Sequence, residues 1–249
     1  SSISFIDLHT KRITRLQQQF ENVRFLGTLT DFVVIEQVRG AAYERHWNQF
    51  AQPKFFIYDC TNANKTEINM EVHGISPDGK FIIGTDSTSV NFRAWDINKK
   101  KQTDITEHLG IISNQKGAVV EDLKFWKFAG WVDKHKLLLY DENDIWQFDL
   151  SNIANSINLT HGLGRKEQLV FSIPNSTSGK IFSKNELSTL IAFDKKTKKN
   201  GYYHFHPTQP TKPKQIIMSD NLYGLYKIKA EKSDWNIIVY LFMSKNKQR

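Results

Sequence analysis

Gly162, Gly164, Arg165 and Lys166 stand together in the stretch INLTHGLGRKEQL (157–169), two glycines beside two cations. Glycine tolerates positive φ and lets backbone approach a ligand closely, and cations neutralise phosphate, so these residue types suit an anion-cradling loop. Such a loop must lead from a strand into a helix whose N-terminus faces the anion. The next residues, EQLVFSI (167–173), read as a strand, so no helix is expected here. The glycines are read instead as relieving backbone strain in a connection between two sheets. Arg165 and Lys166 are left to pair with acidic neighbours or to serve as a contact.

Other residues invite chemistry less strongly. The histidines of HFH (204–206) alternate along a strand and share a face, a spacing zinc can use, but no carboxylate or third histidine lies close in sequence. An ordinary strand is the preferred reading, and no metal site or cofactor motif is assigned. Carboxylates cluster at DEND (141–144), with Asp133 nearby, which suggests calcium or acid/base work. Their spacing does not fit the twelve-residue calcium loop, and they fall where a tight hairpin should turn. The single cysteine, Cys60, has no neighbouring histidine to activate it, and it excludes an internal disulfide. No catalytic residue is assigned.

The elements that must position these residues come from a repeat. A strand of aromatic or β-branched residues, an aspartate, a polar turn and a second strand recur at SFIDLHTKRITRL (4–16), FFIYDCTNANKTEI (55–68), FRAWDINKKKQTDIT (92–106) and IWQFDLSNIANSINLT (145–160). A degraded copy is GYYHFHPTQPTKPKQII (201–217). The pivots are Asp7, Asp59, Asp96, Asp149 and His206, 37 to 57 residues apart, which brackets the roughly 40–50 residues of a four-stranded propeller blade. Aspartate opens such a turn by bonding backbone two residues on. Upstream, HGISPDGKFIIGTDS (73–87) and AGWVDKHKLLLYDEN (129–143) supply the other half of two blades.

The predicted fold is therefore all-β, a β-propeller of four-stranded antiparallel blades with about five blade units, read as a segment of a larger propeller. The units run over 1–16 (half), 25–69, 70–107, 125–160, 169–218 and 221–249 (half), within a single propeller domain or fragment spanning 1–249. The one irregular stretch is VRGAAYERHWNQFA (38–51), a short helix or excursion, in which Tyr43, Arg45 and Trp47 are candidates for contacting peptide or a partner.

Composition narrows the function classes. The chain of 249 residues carries 12% aromatic and 24% charged residues, a profile that folds. Its net charge is +8, but the basic clusters at 98–102, 195–199 and 245–249 contain no interleaved aromatics, so no nucleic-acid partner is expected. The longest apolar run, WNIIVYLFM, suits a buried strand better than a membrane span. No signal peptide is read at the N-terminus.

In sequence order, ISPDGKFIIG followed by WDI, then YDENDIWQFDL, NLTHGLGRK and LIAFDKKTKKNGYY resemble the propeller region of large bacterial prolyl oligopeptidase-family serine peptidases of the dipeptidyl-peptidase-like kind. The resemblance covers roughly Gly74 to Tyr240. It implies a propeller that caps an α/β-hydrolase domain and selects peptide substrates, in a periplasmic or otherwise exported protein. The chain's partners would be that hydrolase domain and peptides, and Arg165 and Lys166 would be candidates for an interdomain contact. The family's Gly-x-Ser-x-Gly elbow is missing: GISPD (74–78) has Asp78 where the second glycine belongs. The family's paired glutamates for a substrate amino group are not matched either, since only Glu36 and Glu44 flank the excursion. The rival reading is a free-standing propeller that binds proteins or peptides through loops on one face.

Overall fold

The computed structural model describes residues 3–6, 11–24, 31–38, 44, 47–48, 53–85, 91–109, 126–174, 181–182, 188–220, 222–227 and 238–243. Asp7, Tyr43 and Arg45 lie outside them. The chain divides into two compact units, Ser1–Ala118 and Val119–Arg249.

In the first unit, β1 (Ser4–Ile6) and β2 (Ile13–Arg15) form the two-stranded sheet A. Sheet B contains β3 (Glu21–Arg24), β4 (Phe32–Gln37), β5 (Lys54–Asp59) and β6 (Asn64–Ile68). Sheet C contains β7 (Glu71–Ile75), β8 (Phe81–Thr85), β9 (Phe92–Asp96) and β10 (Lys101–Asp104), followed by a 3₁₀ turn at Glu107–Leu109.

The second unit opens with sheet D, made of β11 (Lys127–Trp131), β12 (Lys136–Tyr140), β13 (Ile145–Asp149) and β14 (Ile157–Asn158). A short helix, α1 (Leu163–Glu167), leads into sheet E: β15 (Leu169–Ser172), β16 (Ser188–Asp194), β17 (Asn200–Phe205) and β18 (Lys214–Ser219). Sheet F pairs β19 (Leu222–Lys227) with β20 (Ile238–Met243), so the WNIIVYLFM run supplies a strand.

Every strand pairs antiparallel with its sequence neighbour, so sheets B, C, D and E are each a four-stranded meander. The apolar strands FVVI, FIIG and LLLY show no in–out alternation because both faces of their sheets are covered. In β4, Val33 and Ile35 pack with Leu16, while Val34 turns to the other side against Ile57, Val72 and Ile82 of sheets B and C. In β12, Leu138 and Tyr140 join Leu169, Phe171, Leu190 and Phe205 of sheet E. The intervening Leu137 and Leu139 are equally buried. Successive meanders stacked face to face through such cores are β-propeller blades, and the chain is of that all-β class.

The pivots do what their residue type dictates. Asp59 accepts hydrogen bonds from the Thr61 N–H and hydroxyl, Asp96 from the Lys99 N–H, and Asp149 from the N–H and hydroxyl of Ser151. Each turns the third strand of its sheet into the fourth. His206 occupies that place in sheet E, where its carbonyl accepts from the Gln209 N–H.

Candidate functional site

The glycine–cation stretch folds differently from the strand expected directly after it. A five-residue helix, α1, forms over Leu163–Glu167 before β15 begins. Gly162 enters it in the left-handed region at φ 69°, as does His161 at φ 54°, and Gln168 leaves it at φ 57°. Such conformations cost a side chain strain, which glycine at 162 avoids. Gly164 has another role. It is buried in the helix, and a Cβ there would collide with the Asn143 carbonyl, so glycine supplies space and not relief of strain.

The space admits an anion, and the anion belongs to the chain. Asp144, 1% exposed, accepts from the Gly164 N–H at 2.9 Å, the Arg165 N–H at 3.1 Å and the Thr160 hydroxyl at 2.6 Å. Beside it, Asp141 accepts the backbone N–H groups of Asn143 and Asp144 on one oxygen. Its other oxygen accepts the Trp146 indole N–H at 2.9 Å and the Arg165 guanidinium at 3.0 Å. Asn143 completes the join to sheet E by donating its side-chain amide to the Leu169 carbonyl at 2.8 Å. The acidic turn is therefore an internal ligand for the glycine loop. Both carboxylates are engaged in holding the chain's own turns and helix.

Arg165 and Lys166 stay partly in water, with side chains 55% and 76% exposed. Arg165 pairs with Asp141, and Lys166 lies 3.8 Å from Glu167. The Lys195–Lys199 turn abuts the same helix: the Lys195 N–H donates to the Gln168 carbonyl, and its ammonium meets Glu142 at 2.6 Å. Two basic segments distant in sequence thus meet at one end of sheets D and E. Strand order puts Asp133 at the opposite end of sheet D, in the β11–β12 turn.

Elsewhere the candidates are mostly engaged. Glu36 is buried and pairs with the Arg24 guanidinium at 2.6 Å. Trp47 is 74% exposed, and its N–H donates to the Glu44 carbonyl. Burial, followed by the charges of Asp59 and Asp31, pushes the Cys60 thiol above its ordinary pKa, the reverse of an activated nucleophile. A shallow cleft of about 300 Å³, counting its open mouth, lies between Phe32, Ile57 and Trp95, with Asp59, Asn64 and Lys100 at its rim. Asp59 there is already committed to its turn. The histidines of HFH are half-buried, and the Nδ1 atoms of both His204 and His206 are buried without a hydrogen-bond partner.

No family model matches this sequence, and no curated protein matches it. Among solved structures it is similar to a TolB-like protein of Agrobacterium tumefaciens, with 14% identity, a TM-score of 0.39, and coverage of 90% of this chain and 72% of that one. It is similar to a post-proline cleaving enzyme of Rickettsia typhi, with 13% identity, a TM-score of 0.41, and coverage of 89% and 35%. An acylaminoacyl peptidase of Pyrococcus horikoshii gives 12% identity, a TM-score of 0.34, and coverage of 84% and 43%. The chain thus spans about a third of the second protein and less than half of the third. The fold assignment rests on the strand order, register and cores described above.

Proposed function

We propose that this chain is the noncatalytic β-propeller of an exported, prolyl oligopeptidase-family serine peptidase, gating and positioning peptides for an α/β-hydrolase domain. One observation carries the reading. The three phrases most specific to that resemblance, YDENDIWQFDL, NLTHGLGRK and LIAFDKKTKKNGYY, meet in space as the acidic turn, α1 and the Lys195–Lys199 turn. They build one charged end of two neighbouring blades. In this reading residues 1–249 form one propeller domain or a fragment of one, with the blade units given above.

The mechanism rests on what a blade end can do. Arg165 is held by Asp141 and by its own N–H on Asp144, so its guanidinium is pre-oriented with half its surface in water. A fixed guanidinium offers planar, paired donors to a carboxylate on a docked domain. Lys166 adds a mobile point charge beside it. Peptide contact is assigned to Tyr43, Arg45 and Trp47. Their segment joins the second and third strands of sheet B, the same place in that sheet that Asp141–Asp144 holds in sheet D. An exposed tryptophan there supplies apolar area at small conformational cost.

The experiment is hydrolysis of short peptidyl chromogenic substrates by this chain alone. The expected result is no turnover sensitive to a serine-directed inhibitor, and such turnover would overturn the noncatalytic assignment. The coding sequence after Arg249 separates the rival. A Gly-x-Ser-x-Gly elbow followed by Asp and His supports the peptidase reading, and a stop codon there together with a complete N-terminus supports a free-standing propeller that binds proteins or peptides.

A further inference from the structure

In β17 the residues alternate strictly near its end. Tyr203 and Phe205 enter the core shared with sheet D, so His204 lies on the opposite face of sheet E. His206, two residues on and directly before Pro207, follows the last residue of the strand, where continued extension would place it on that face. Both imidazoles are half-buried, and in both the Nδ1 atom is shielded from solvent with no donor or acceptor against it. They are the buried side-chain nitrogens or oxygens left without a partner among the described residues. A buried polar atom normally has a partner, because stranding it forfeits its hydration without return. Two such atoms, from the same residue type, one strand repeat apart, call for a common explanation.

We propose that His204 and His206 form a binding site for a borderline divalent transition-metal ion such as Zn²⁺. Residues i and i+2 on one strand face have Cα atoms roughly 6.5 Å apart. Two imidazoles over that span reach a shared ion at the usual Zn–N length of about 2.0–2.1 Å. Imidazole nitrogen suits zinc, copper and nickel, whereas calcium and magnesium demand oxygen ligands. No group of three or more His, Cys, Asp or Glu gathers among the described residues. The ion would therefore keep open positions for water or an anionic ligand, unlike a closed structural zinc site. Nothing in this proposal depends on the peptidase reading.

The test is calorimetric titration of this chain with ZnCl₂, alongside H204Q and H206Q variants whose folding is checked by far-ultraviolet circular dichroism. The site predicts saturable binding of one ion per chain, weakened in each variant by at least the roughly tenfold that even loss of an outer-shell partner costs. A second readout uses the unaltered protein: zinc should protect His204 and His206 from diethylpyrocarbonate, read by peptide mass spectrometry, while exposed His108 stays reactive. Absence of saturable binding would overturn the site, as would full binding in both variants or unchanged modification of the two histidines. Should a variant fail to fold, the protection experiment decides.

Discussion

Asp144 is the residue on which the second unit's architecture turns. It is nearly inaccessible, and three donors from the Thr160–Arg165 stretch converge on it: the Thr160 hydroxyl and the N–H groups of Gly164 and Arg165. Truncating it to alanine strands those donors, each at about 1–3 kcal/mol where buried. Asp144→Ala should therefore lower the unfolding free energy by roughly 3 kcal/mol or more, read from urea denaturation. Arg165→Ala should cost only about 1 kcal/mol, because its side chain is half-exposed and Asp141 keeps the Trp146 indole and two backbone donors. Equal losses from the two substitutions would contradict this division of roles. The sequence displayed the glycines and cations of this site but not their ligand. Asp144 lies two sheet connections upstream, and the pairing of β13 with β14 within sheet D brings it beside Thr160 and the start of α1.

At the scale of elements, the aspartate-led turns set a pH dependence with a defined sign. Burial works to raise the pKa of Asp149, yet the hydroxyl and N–H of Ser151, aided by the charges of His135 and Lys136, outweigh it and hold the carboxyl below its ordinary value. Asp59 is lowered against burial in the same way by Thr61 and Asn62, and Asp96 by Lys99. A carboxyl with a depressed folded-state pKa stabilises the fold fully above its unfolded value, near 3.9, and that contribution disappears as pH falls through the folded value. The urea midpoint should thus drop as pH is lowered from about 5 to about 3, and Asp149→Asn should flatten the slope. A midpoint that rises over that window would reverse the sign and refute the explanation.

These turns are also why the fold class was legible. Aspartate followed by Thr, Ser or Lys after an aromatic strand is a local signal, because the turn's hydrogen bonds are made within a few residues of the aspartate. The Asp194 turn uses the same chemistry, with the Lys196 and Thr197 N–H groups donating to its carboxylate, but it joins the second strand of sheet E to the third. That change of place hid it from a repeat defined by the third and fourth strands. Helix α1 was hidden for another reason: five residues are too few to show a helical period, and its start is fixed by Asp144 from outside.

For the whole molecule, the net charge of +8 acquires a local meaning only through folding. Arg165, Lys166 and Lys195 are gathered at one end of sheets D and E, each facing an acidic group of the chain, so that end is charged without being uniformly basic. Such a mixed surface suits a specific docked domain better than a polyanion, whose binding rests on phosphate neutralisation. The described part of the chain has no helix long and apolar enough to cross a membrane. The central proposal is that this chain is the noncatalytic propeller of a longer serine peptidase whose chemistry lies outside residues 1–249. Labelling the full-length native protein with a fluorophosphonate probe, followed by peptide mass spectrometry, tests it most directly. The account predicts one labelled serine in a Gly-x-Ser-x-Gly elbow outside this chain, with peptide hydrolysis lost on labelling. A labelled serine within residues 1–249, or an unlabelled full-length protein, would contradict it.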